Sequence, residues 1–208
     1  MNQHVWWYLA RSSGIVALVL LVLSFVWGVL LTTRALRHID RPAWLLDLHK
    51  WLAGTALVMT CLHLLGLLLD GYIDFGFTDL LVPGAAAYRP FAVAVGILSF
   101  YMLLAIQVTS FMRKRLSRGV WRAVHLLSYG LVWSAAIHAG LAGTDTVNRA
   151  YRSLALVLTM VAVTATMLRI VTPGRSERAR PSAGPRAVAR SLDGTELVGS
   201  QRVDVGRE

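Results

Sequence analysis

The chain has 208 residues, 56% of them hydrophobic and only 15% charged, with a net charge of +10. The charge lies mostly outside five apolar blocks, about Ser13–Leu31, Trp51–Leu69, Phe91–Met112, Val120–Leu141 and Ala150–Leu168. Each approaches the ~20 residues that cross ~30 Å of hydrocarbon. The blocks carry few of the repeating polar faces of a soluble bundle, so composition excludes a soluble helical protein. It also argues against a nucleic-acid partner, because Lys and Arg collect in alternate loops, as membrane orientation requires.

In chain order, MNQHVWWYLAR reads as an interfacial segment over residues 1–12, with Trp6, Trp7 and Tyr8 suited to an aromatic belt. The first apolar block follows. It is long for a signal peptide, lacks a basic n-region and shows no small-x-small cleavage site, so it reads as a retained span. A basic loop with Arg34, Arg37 and Arg41, followed by Lys50, leads to the second span. The longest loop, Asp70–Arg89, carries Asp70, Asp74 and Asp79 with Tyr72, Phe75 and Phe77 and the turn signal Pro83-Gly84, and is expected to lie back on the membrane. Pro90 suits a first-turn position of the third span. A second basic loop, Arg113–Arg122, precedes the fourth span, and eight arginines lie from Arg169 onward. The bias predicts an all-α, polytopic bundle of about five spans, N-terminus outside and C-terminus cytoplasmic, in the plasma membrane. The predicted domain is 13–172. Residues 173–208 hold no aromatic residue and read as a disordered, basic cytoplasmic tail near anionic lipid.

Four histidines lie inside or at the edge of these blocks. His49 and His63 are 14 residues apart in the second span, and His125 and His138 are 13 apart in the fourth. Histidine in hydrocarbon is costly and marks a functional site by default. Both spans run in the same direction, so His49 and His125 fall at one depth, near the cytoplasmic face, and His63 and His138 at another. At ~1.5 Å per residue the layers are roughly 20 Å apart. Such a set fits the axial ligands of two stacked haems, each iron taking one imidazole from each span. Six-coordinate iron of this kind favours electron transfer over binding O₂. Fourteen residues leave the second histidine ~40° from the first around an ideal helix, whereas thirteen leave ~140°, so the fourth span needs a bend, over-winding or long reach. No C-x-x-C-H occurs and Cys61 is the single cysteine, which excludes c-type attachment and an intrachain disulfide. His4 and His38 read as ordinary flanking residues.

Anionic haem propionates call for cationic partners. Arg41, Lys50, Arg118 and Arg122 are candidates at the cytoplasmic layer and Arg11 at the outer one; topology charge or snorkelling is the alternative for each. Gly54, Gly66, Gly130 and Gly140 are candidates for letting a flat macrocycle approach. Trp51, Trp121, Tyr129 and Trp133 border the histidines and read more readily as packing or interface anchors than as pocket lining.

His49…His63 and His125…His138, with the run YRPFAVAVGILSFYMLLAIQVTSFMRKRLSRGVWRAVHLLSYGLVWSAAIHAG, resemble the ferric reductase-like transmembrane domain family over roughly residues 10–170. That family includes the membrane parts of ferric reductases and NADPH oxidases and the haem-binding subunit of a bacterial methionine sulfoxide reductase system. The resemblance implies that His49 and His125 ligate an inner haem b, and His63 and His138 an outer one. It also implies electrons arriving from a cytoplasmic flavin dehydrogenase. Members often have six spans, against five counted here, and no G-x-G-x-x-G fingerprint or flavin domain follows the last span. The expectation is therefore the electron-transfer subunit of an oxidoreductase, served by a separate flavoprotein or quinol and delivering to an outside acceptor. The alternatives are a quinone-linked cytochrome b, and a haem-free transporter or assembly factor whose histidines bind metal or shuttle protons.

Overall fold

A computed structural model describes residues 4–33, 43–143 and 148–172. The predicted C-terminal tail and Arg41 lie outside these described residues, as do Arg34, Arg37 and His38. All secondary structure in the described residues is helical: α1 His4–Thr32, α2 Ala43–Leu69, α3 Phe77–Leu81, α4 Pro90–Phe111, α5 Arg118–Ala142 and α6 Arg149–Val171. Every helix but α3 is long and apolar enough to cross a membrane. The protein is a multi-pass helical membrane protein.

The membrane-length helices are longer than the apolar blocks, except α4, which shifts by one residue at the same length. The segment expected to be interfacial is continuous with α1, which begins at His4. Ser12 and Ser13 sit within it because their hydroxyls return to carbonyls of their own helix, Ser12 to Tyr8 at 2.7 Å and Ser13 to Leu9 at 2.5 Å. These bonds satisfy polar groups that lipid would leave bare. α2 likewise begins two turns before Trp51, where Lys50 meets Asp47 at 2.8 Å.

Two antiparallel pairs organise the bundle. α1 packs on α2, with Trp27 Nε1 donating to the Leu45 carbonyl at 2.8 Å. Gly66 makes that pairing tight: a Cβ there would stand 2.7 Å from the Ala10 backbone nitrogen. α4 packs on α5, joined by Ser99 Oγ to Ser134 Oγ at 2.8 Å and by Arg89 Nη1 to the Leu141 carbonyl at 2.5 Å. α6 leans on α1 and α5. Between the pairs a buried layer forms from Val22, Phe25 and Val29 of α1, Leu103 and Ile106 of α4, Leu131 and Val132 of α5, and Ala162 and Ala165 of α6.

α2 and α5 are not among the helix pairs that pack closely, although both carry histidines. They stand apart, each backed by its own partner helix. At one end of the bundle the long loop is folded inward. Phe75, Leu80 and Ala86 bury against Val93 and Ile97 of α4, while Tyr72 and Phe77 remain exposed. The loop is thus partly a roof on the bundle rather than a segment lying flat beside it.

Candidate cofactor site: two facing histidine pairs

The four histidines meet two by two across the space between α2 and α5. The ring centres of His49 and His125 are 6.2 Å apart, with planes crossed at 69°. Those of His63 and His138 are 6.4 Å apart, crossed at 77°. These pairings make α2 and α5 parallel, as topology predicted. Among the described residues no three His, Cys, Asp or Glu side chains gather into one site, so the histidines are paired rather than clustered.

The pair spacing has a simple chemical reading. An imidazole nitrogen bonds a first-row metal at about 2.0–2.1 Å and the ring centre lies ~1.1 Å behind it, so two imidazoles on opposite sides of one ion hold their centres about 6.3 Å apart. Both observed separations fall within 0.1 Å of that value. The residues therefore fit a group that presents one metal to each pair.

The other ring nitrogen sets the tautomer. His63 Nδ1 lies 2.6 Å from the Ala10 carbonyl, and His138 Nδ1 lies 2.8 Å from the Ala92 carbonyl. His49 Nδ1 lies 3.1 Å from the Ser24 carbonyl, with Ser24 Oγ at 3.3 Å. A carbonyl only accepts, so in each case Nδ1 carries the proton and Nε2 keeps its lone pair. This is the outer arrangement of metal-bound histidine, in which the second N–H is held by a carbonyl and the ring is fixed in orientation.

Each accepting carbonyl belongs to a residue four before a glycine: Ala10 and Gly14, Ser24 and Gly28, Ala92 and Gly96. Residues i and i+4 stack on one helix face, so a side chain at i+4 would crowd the imidazole that approaches the carbonyl at i. A Cβ at Gly96 would stand 2.6 Å from His138 Nδ1, one at Gly14 2.8 Å from His63 Nδ1, and one at Gly28 3.3 Å from His49 Cε1. α1 thus serves both histidines of α2, and α4 serves His138. These glycines differ from those proposed from sequence. Gly54 and Gly140 face open space, Gly66 meets α1, and Gly130 meets Met102 Sδ at 3.5 Å. A signal for two of the missed glycines was present: Gly14 and Gly28 are 14 residues apart, the same interval as His49 and His63 on the facing helix.

A cavity of about 280 Å³ surrounds the His63–His138 pair. Its wall is mostly apolar. Arg11, Asp70, Ser99 and Tyr151 supply polar groups. Arg11 lines the cavity beside the His63–His138 pair, with its guanidinium also over the Trp7 ring at 4.5 Å. Tyr151, which sequence reasoning passed over, donates to the Ala139 carbonyl at 2.9 Å beside the His63–His138 pair.

At the other layer, Lys50 is exposed and bonded to Asp47. Arg118 and Arg122 are exposed on the first turns of α5. Arg113 instead approaches the site, lying 4.5 Å over the Trp121 ring. Trp121 in turn stacks on His125 at 4.9 Å and 23°. Among the other aromatic candidates, Trp51 is 75% exposed and Tyr129 packs edge-on to Phe25.

The architecture is that of a polytopic membrane protein with two facing histidine pairs held between parallel helices. The chain belongs to the ferric reductase-like transmembrane component family, whose profile matches residues 13–136 and ends just short of His138. Membership points to transmembrane electron transfer, and the family generally binds haem and usually works with a separate electron donor. No match is found among curated proteins or among solved structures.

Proposed function

We propose that this chain is a di-haem b subunit that conducts electrons across a bilayer, from a flavoprotein-type donor on the cytoplasmic side to an acceptor outside. The observation that carries the reading is the pairing itself. Two sets of imidazoles face one another at metal-bridging separation, and three of the four have Nδ1 committed to a backbone carbonyl. His49 and His125 would hold one haem, His63 and His138 the other. Bound haem supplies a reversible one-electron iron couple at each layer.

The protein supplies position. α1 and α4 clamp three of the four rings through their carbonyls, which limits reorganisation when the charge of a bound group changes. Residues of the folded loop and apolar side chains line the space around the His63–His138 pair. Arg11 and Tyr151 border that cavity, where an anionic propionate would find a cation and a hydroxyl. At the opposite end, Arg113, Lys114, Arg115, Arg118 and Arg122 gather near the His49–His125 layer. That basic end supports a cytoplasmic assignment for the layer, hence N-terminus outside and C-terminus inside, and offers a charged face to a donor protein.

The test is an optical spectrum of the detergent-purified protein, oxidised and dithionite-reduced, with extracted haem counted per chain. Two low-spin b-type haems are expected. His63→Ala and His138→Ala should each reduce the count to one, leaving the inner layer. An unchanged haem count in both variants sinks the assignment of the outer pair. A protein lacking haem after growth with ample haem sinks the function.

A further inference from the structure

A second opening lies where α5 and α6 meet α1, and it encloses about 290 Å³. Trp133, Ala136 and Gly140 line it from α5, and Arg152, Ala155 and Thr159 from α6. Its floor is Val22, Val132 and Ala162, each no more than 3% exposed. Small residues make the space: a Cβ on Gly140 would meet nothing within 4 Å. On the rim Leu156 is 61% exposed, so the groove opens on the face of the spans that lipid covers.

The groove runs from Arg152 to Ala162 along α6 and from Gly140 to Val132 along α5. The ten steps from Arg152 to Ala162 rise ~15 Å, half of the ~30 Å hydrocarbon thickness. One end therefore lies at the membrane surface and the other near the midplane, the reach of an acyl chain in a single leaflet.

The polar groups sort by position. Tyr151 donates its hydroxyl to the Ala139 carbonyl at 2.9 Å and Thr159 to the Ala155 carbonyl at 2.8 Å, so neither hydroxyl proton is left for a ligand. Arg152 stands at the mouth. Elsewhere at this end Arg11 lies over Trp7, and Arg89 donates to the Leu141 carbonyl. Arg152 and Arg149 are exposed and meet no carboxylate among the described residues. Positions i and i+3 are neighbours on a helix face, which brings both guanidinium groups within reach of one anion.

We propose that the groove binds one anionic phospholipid of the phosphatidylglycerol class, with an acyl chain between α5 and α6 and the phosphate on Arg152 and Arg149. A cationic mouth above an apolar trough one leaflet deep matches that ligand at both ends. Guanidinium also suits phosphate, which it can meet through two parallel N–H bonds. An isoprenoid quinone is the poorer match, because its ring carbonyls ask for donors and both hydroxyls are taken. The site is independent of haem, yet it adjoins the cavity around the His63–His138 pair, since Ala139, Tyr151 and Leu158 line both spaces.

The test is native mass spectrometry of the full-length protein in mild detergent, titrated with phosphatidylglycerol or phosphatidylcholine. One phosphatidylglycerol per chain should survive detergent removal. Arg152→Gln should weaken it about fivefold and Arg149→Gln/Arg152→Gln about thirtyfold, to the level of phosphatidylcholine, at ~1 kcal/mol for each arginine near an anionic lipid. Arg152→Lys keeps the charge and should retain the lipid. Gly140→Leu fills the trough and should abolish retention of either lipid while helix content stays unchanged. The arginine changes lie on exposed positions, so they decide the matter even if Gly140→Leu fails to fold. Phosphatidylcholine bound as tightly as phosphatidylglycerol, or full retention by the double arginine variant, overturns the headgroup assignment. Full retention by a folded Gly140→Leu protein overturns the groove, and an isoprenoid quinone extracted at one per chain overturns the choice of ligand.

Discussion

α2 and α5 each present two histidines to the space between them, yet they are supported in different ways. On α2, both rings turn back to α1, where Gly14 and Gly28 open the surface and the Ala10 and Ser24 carbonyls receive Nδ1. On α5, only His138 finds such a place, at Ala92 and Gly96 of α4. Among the described residues, His125 Nδ1 has no acceptor, and the ring instead stacks on Trp121. One residue of spacing separates the two designs. Both intervals bring the rings to the same space, but only on α2 does one backing helix receive both Nδ1 atoms.

The largest expected effect comes from filling a glycine that receives a ring. Gly96→Leu places branched carbon where His138 now sits, since even a Cβ there would be 2.6 Å from the ring. Haem extracted from this variant should fall from two per chain to one. Gly14→Leu should have the same outcome through His63. Retention of both haems by the two variants would mean that the rings have room to move, and the support described here would then be incidental.

The next effect is on the helix pair rather than on the ligands. Gly66→Ala directs a methyl into the Ala10 backbone, with its nearest atom at 2.7 Å. Backbone yields less readily than a side-chain end, and overpacking of this kind costs about 1–3 kcal/mol. The melting temperature should drop, and the outer haem should dissociate more readily, because Ala10 also provides the carbonyl for His63. Gly119→Ala, facing open space on the first turn of α5, is the control. It should be neutral or slightly stabilising, by up to about 1 kcal/mol of helix propensity.

Much of this arrangement is legible in the chain. The apolar blocks locate the spans, the basic loops alternate, and the histidine intervals bring the pairs to common depths. The two parallel ligand helices follow from span count alone. What a single span cannot reveal is which neighbour backs it. Gly14, Gly28 and Gly96 have meaning only when α1 is placed against α2 and α4 against α5, so glycines nearer to the histidines in sequence drew attention first. Tyr151 stands on the helix after the one that carries His138, and only the packing of α6 brings it to the Ala139 carbonyl. Arg113 looks like one more topology charge until Trp121 is seen beneath it.

The smallest expected effect tests how much of the support is hydroxyl and how much is backbone. His49 Nδ1 lies 3.1 Å from the Ser24 carbonyl and 3.3 Å from its Oγ. Nδ1 has one proton, and the carbonyl is the nearer acceptor, so the hydroxyl is a secondary partner. Ser24→Ala removes it and leaves the carbonyl in place. The cost should stay below about 1 kcal/mol, the net worth of one ordinary hydrogen bond. Haem count should be unchanged, with at most a slight fall in the temperature at which the inner haem is released. Gly28→Ala at the same ligand should do more, because its added carbon meets His49 Cε1 at 3.3 Å and presses the ring away from that carbonyl. If Ser24→Ala were the more damaging of the two, the hydroxyl would be the main acceptor. His49 would then be held by a side chain, and α1 would support its two histidines by different means.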